Sequence, residues 1–99
     1  MEYRQSLKIK DWAVEDRPRE KLLKKGMVSL SDAEIVALLI GTGSRQESAV
    51  ELSQRILKDS RHNLNELGKL SVHELQKYRG IGEAKAIAIA AALELGRRR

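Results

Sequence analysis

The sequence predicts an all-α fold, and three observations carry that prediction. Apolar residues recur at spacings of three and four, the period of a helix face. Residues that strands favour are scarce: one Trp, two Tyr and no Phe in 99 residues. Three Ser-x-x-Glu segments, Ser31–Glu34, Ser48–Glu51 and Ser71–Glu74, have the form of a capping box, in which serine and glutamate satisfy each other's backbone amides at a helix start. With so few aromatics the core must be built from Leu, Ile, Val and Ala, a set that suits helices. The length fits one domain. A content of 41% hydrophobic and 33% charged residues is ordinary for a globular chain.

The elements follow in order. Residues 1–15 show little periodicity and read as an N-terminal arm, anchored on the helical body by Trp12. Asp16-Arg17-Pro18 opens a helix, with a cap-type acid and a proline in the first turn. It runs to about Lys25 and stops at Gly26, with Leu22 and Leu23 facing inward. A second helix follows Ser31 and ends near Ile40; Ile35, Leu38 and Leu39 form its apolar face, widened by Val36 and Ile40. The third runs from about Ser48 to Lys58 and buries Ala49, Leu52 and Ile56, with Val50 and Leu57 beside them. After a polar break, Asn63 to Leu67 makes one short turn closed by Gly68. Another helix follows Ser71 and includes Leu75 and Tyr78. The last starts near Glu83 and carries Ala84, Ile87, Ala88, Ala91 and Leu95 on its inward side, with Ile89 and Leu93 on another. A helix apolar nearly all round belongs in the middle of a bundle.

Part of this pattern occurs twice. Leu30-Ser31-Asp32-Ala33-Glu34-Ile35 matches Leu70-Ser71-Val72-His73-Glu74-Leu75, and Gly41-Thr42-Gly43 matches Gly80-Ile81-Gly82. Two glycines one residue apart permit positive φ and close approach of backbone to a partner. Amides at the start of the following helix make a seat for phosphate. In the second copy, Ile81 plugs the core and the amides of Gly80, Gly82, Glu83 and Ala84 point outward. Arg79 precedes this elbow, and Lys85 would add a charge-assisted contact. Glu83 complements the helix dipole but repels an anion. In the first copy the candidates are Gly41, Gly43 and Arg45. There Thr42 replaces the plug and Asp32, Glu34, Glu47 and Glu51 stand close in sequence, so this half is expected to contribute less.

Net charge is +5, with a pI of about 9.7. It is uneven: residues 30–59 carry three basic and five acidic groups, residues 60–99 eight and four. The second copy is therefore the better anion site. The absence of cysteine excludes disulfides, thiolate zinc sites and cysteine nucleophiles, and suits a cytoplasmic protein. The polar first ten residues do not read as a signal peptide. The longest apolar run is Ala86 to Leu93. Spanning a bilayer takes about 20 residues, so no membrane partner is expected. His62 and His73 lack the spacing of a paired helical metal site and read as surface residues. No metal site, cofactor or catalytic set is expected, and the chain reads as a non-enzyme.

Leu75-Gln76-Lys77-Tyr78-Arg79-Gly80-Ile81-Gly82-Glu83-Ala84-Lys85-Ala86 resembles the helix-hairpin-helix family. More narrowly, Asp16-Arg17-Pro18-Arg19-Glu20-Lys21-Leu22-Leu23, Leu30 to Glu34 and Gly41-Thr42-Gly43 are similar to the N-terminal region of bacterial RadC-type (UPF0758-like) proteins. The resemblance implies a tandem helix-hairpin-helix domain over residues 16–99: about five helices around a pseudo-two-fold axis, with hairpins at 40–44 and 79–83. It implies weak, non-specific binding of the DNA backbone, and carries an association with DNA repair. It also implies a following C-terminal domain of JAB/MPN type, similar to zinc metallopeptidases, whose His-x-His ligands do not occur in this chain. The alternative is a protein-interaction module that positions that domain, or a homodimerisation module; the apolar run Ala86–Leu93 motivates it.

Overall fold

A computed structural model describes residues 17–43 and 47–99. The N-terminal arm, with Trp12 and Asp16, and also Arg45, lie outside the described residues. Among those described, the chain is all-α: α1 (Pro18–Lys25), a 3-10 turn (Met27–Ser29), α2 (Asp32–Ile40), α3 (Ala49–Asp59), α4 (Leu64–Gly68), α5 (Val72–Leu75) and α6 (Glu83–Arg98). The pairs α2/α3 and α5/α6 are the two helix-hairpin-helix units. None of the described helices is long and apolar enough to cross a membrane.

Local chemistry sets the helix ends. Pro18, which has no N–H to lose, occupies the start of α1 behind an extended Arg17. Gly26 stops this helix with φ 86°, its amide donating to Leu22 O at 2.8 Å. All three capping boxes form. The amides of Glu34, Glu51 and Glu74 donate to Ser31, Ser48 and Ser71 at 3.2, 3.1 and 3.0 Å, and each glutamate accepts from its serine's amide in return. Asn63 Oδ1 caps α4 by accepting from Asn65 N and Glu66 N. Between α3 and α4 the chain reverses through Arg61 and His62, both left-handed at φ 59° and 56°.

The core runs from α2 and α3 to α6. On α3 it takes Ala49, Val50, Leu52, Ile56 and Leu57, as the sequence predicts. Ser53 is also buried there, and its hydroxyl donates to Ala49 O at 2.7 Å. That bond satisfies the side chain inside the core. On α2 the covered residues are Val36, Ala37 and Ile40, whereas Ile35, Leu38 and Leu39, the predicted face, are half-buried. Nearly every residue from Ala33 to Ile40 is apolar, so periodicity has no polar side to reject. Packing between α1 on one side and α3 with α6 on the other makes the choice.

Three further expectations are corrected. Leu23 does not face inward but is 80% exposed, because α1 packs chiefly on α2 and the adjoining 3-10 turn. The helix after Ser71 ends at Leu75, and Tyr78 sits in the turn beyond it. On α6 the buried residues are Ala86 and Ile89, with Ala90 and Leu93 against the core. The predicted inward side is turned outward: Ile87 is 50% and Leu95 71% exposed, and Ala84 and Ala91 are exposed too. The sequence of α6 is apolar on both sides. Ile81, 4% exposed at the entry to the helix, is seated in the core with Leu75 and so sets which side of α6 is covered.

Candidate nucleic-acid interface

The two glycine elbows are built differently. At the first, Gly41 holds φ 80° and ψ −66° while Thr42 N donates to Ile40 O at 2.9 Å. This is a γ-turn of the positive-φ form, strained for any residue with a Cβ. Gly41 N donates to Ala37 O at 2.8 Å, so both amides are spent inside the chain. A Cβ on Gly43 would run into the backbone of Glu47, Ser48 and Ala49, 2.8 Å from Ala49 N, so that glycine serves close internal packing. The helix that follows, α3, is closed by the Ser48–Glu51 box.

At the second elbow Ile81 N donates to Tyr78 O at 3.0 Å, closing a β-turn with Gly80 at φ 97° in its third position. Gly82 then leads straight into α6 with no side-chain cap. Among the described residues no acceptor meets the amides of Gly82, Glu83, Ala84 or Lys85. Gly82, Glu83 and Ala84 are exposed, as is Arg79 beside them. Gly82 itself has φ −87°, which any residue adopts, and a Cβ there would meet nothing within 4 Å. Among the described residues nothing requires glycine at that position.

The Lys85 ammonium is committed. It donates to Thr42 O at 2.8 Å, to Thr42 Oγ1 at 3.2 Å and to Gly80 O at 3.2 Å. An ammonium has three N–H donors, and these contacts use them all. Lys85 therefore clasps the two elbows together, and a phosphate would have to displace one of these oxygens to reach it. A partner 43 residues away carries no local sequence signal, and sequence reasoning missed it.

A second tie fixes the turn from behind. Tyr78 Oη donates to Asp59 Oδ2 at 2.7 Å, and the Arg55 guanidinium lies 5.2 Å from the Tyr78 ring centre. Arg55 also grips Glu47 through two 2.9 Å bonds. Burial, then the bond to Asp59, pushes the Tyr78 phenol up to about 12. The Arg55 hydrogen bond holds the Glu47 carboxyl below the usual range despite partial burial. The α5–α6 turn is thus braced on α3, leaving its outer rim to solvent. His62 and His73 are both exposed, and the described residues contain no group of three His, Asp or Glu side chains placed to hold a metal ion.

Residues 9–87 match the family described as UPF0758 N-terminal. The chain belongs to the UPF0758 family. Its relatives include UPF0758 proteins of Flavobacterium johnsoniae, 66% identical over 90 residues, and of Caldanaerobacter subterraneus, 48% identical over 93. These alignments cover 91% and 94% of this chain but 39% and 40% of the relatives. A UPF0758 protein of Bacillus licheniformis is 49% identical over 92 residues, covering 93% of the chain and 41% of that protein. The chain therefore spans about two fifths of the length of the relatives it matches. No solved structure matches it.

Proposed function

We propose that this UPF0758 domain is a non-enzymatic module that holds the DNA phosphate backbone without reading sequence, through the second elbow and the start of α6. The observation that carries this reading is the open N-terminus of α6, in a chain whose α2, α3 and α5 all close theirs with serine boxes. Free amides at a helix start, aligned with the helix dipole, favour a phosphate oxygen. Gly80 permits the turn and Ile81 anchors it, while Gly82 leaves clear the space a phosphate would enter. Arg79, exposed and adjacent to Gly80 in sequence, supplies a positive charge, and the basic balance of residues 60–99 adds long-range attraction. Glu83 opposes the approach, which keeps binding weak. Lys85 acts by fixing both elbows. The first elbow, with Gly41 and Gly43, serves as the brace.

The test is a titration of labelled duplex, single-stranded and junction DNA at two salt concentrations. With Arg79 as the cation the elbow supplies and Lys85 held by Thr42 and Gly80, about one phosphate is neutralised and the log–log salt slope on duplex is about −0.9. No binding at low salt, or binding indifferent to salt, overturns the proposal.

A further inference from the structure

We propose that the outward face of α6, formed by Ala84, Ile87, Ala91 and Leu95, seats the portion of full-length UPF0758 proteins that follows this domain. These four residues share one side of the helix by their spacing. That side lies away from Ala86 and Ile89, so α6 is apolar on two sides and, among the described residues, only one is covered. Ala84 and Ala91 allow close approach of another element, while Ile87 and Leu95 project as ridges for its grooves. Near the end of the helix, Glu94 holds Arg97 at 2.7 Å and Arg98 at 2.8 Å. These ion pairs set a polar rim beside Leu95, the usual border of an apolar contact.

The size of the face argues for a tethered occupant. From Ala84 to Leu95 the stripe runs ~17 Å at the helical rise and is about 10 Å wide, so it offers roughly 170 Å². A stable complex between free partners buries about 800 Å² on each side. A second copy of this chain, held by α6 alone, falls well short. A tethered segment needs far less, because linkage raises its effective concentration to about the millimolar range. The matched region is the N-terminal part of the family, and about three fifths of each relative lies outside it. In the relatives the N-terminal region that this chain matches leaves that remainder to the C-terminal side, and in this chain α6 ends about one turn beyond Leu95. The inference stands whether or not the second elbow binds DNA.

The experiment joins this chain to the remaining C-terminal sequence of the Flavobacterium johnsoniae relative. Hydroxyl-radical labelling of Ile87 and Leu95 is compared in the joined protein and in the chain alone, with Tyr78 as internal reference. Both residues are expected to label about threefold less or lower in the joined monomer, since an interface core excludes water. Leu95→Asp in the joined protein should return Ile87 labelling to the level of the free chain; Leu95 is exposed, so this change leaves the domain core intact. Equal labelling of the two proteins overturns the proposal. So does Ile87 protection that survives Leu95→Asp. Protection in the free chain that fades on dilution would assign the face to a second copy, and also overturns it.

Discussion

Gly82 stands at the N-cap of α6 with φ −87° and ψ −173°, close to the conformation of the serine caps Ser31, Ser48 and Ser71, which hold φ −72° to −76° and ψ 163° to 168°. A Cβ there meets nothing within 4 Å. Gly82→Ser should therefore build a fourth cap, its hydroxyl accepting from the Lys85 amide. Removing the glycine's freedom from the unfolded chain is worth about 0.4–1 kcal/mol, and the cap itself adds a few tenths over glycine. Together these make about 1 kcal/mol, or roughly 4–8 °C in melting temperature for a domain of this size. The same hydroxyl blocks the seat proposed for phosphate. Losing one or two hydrogen bonds to a charged group, at about 1.5–3 kcal/mol each, weakens duplex binding by roughly tenfold or more. Thermal melting by circular dichroism and anisotropy of a labelled duplex at low salt measure the two effects on one variant. A rise in melting temperature with unchanged affinity would mean that the α6 amides do not touch DNA. Gly82→Ala crowds the site without accepting an amide proton, and so separates steric exclusion from capping.

Two other changes probe the supports of the elbow, and a third probes the reversal between α3 and α4. Lys85→Met keeps the side-chain length but loses the clasp on Thr42 and Gly80. Urea denaturation should show a loss of about 1 kcal/mol, and an unchanged midpoint would remove the clasp from the account. The Tyr78 phenol is raised from 10.0 to about 12 on folding, so its neutral form is favoured in the folded state. Its contribution is whole below pH 10 and is lost as pH rises through about 12. Tyr78→Phe should flatten the fall of melting temperature over that window, and parallel profiles would refute it. Arg61 carries a left-handed φ of 59°, a conformation that costs an L-residue about 1–2 kcal/mol. Arg61→Gly should recover about 0.5–1 kcal/mol after glycine's own entropic cost, and a lower denaturation midpoint would contradict this.

Much of this architecture is legible in the chain because its signals are short-range. A serine and a glutamate three residues apart either satisfy each other's amides or do not, and at Ser31, Ser48 and Ser71 they do. Pro18 and Gly26 bound α1 for equally local reasons. Ile81 is readable as the plug because burying a large aliphatic side chain is favourable and the glycines on either side let the backbone turn around it. The internal repeat is real at the level of caps and elbows, yet it conceals a difference: Thr42 closes a γ-turn on itself, while Gly82 opens into an uncapped helix.

By itself, then, the sequence determined where helices begin, where α1 stops and that the fold is all-α, since capping, proline and glycine effects act within about four residues. Only the tertiary structure decided which sides of α2 and α6 are covered, because both helices are apolar nearly all round and a hydrophobic face has no direction until another element packs on it. Only it brought Lys85 onto Thr42 across 43 residues, a contact made by the packing of two hairpins and by nothing in either one alone.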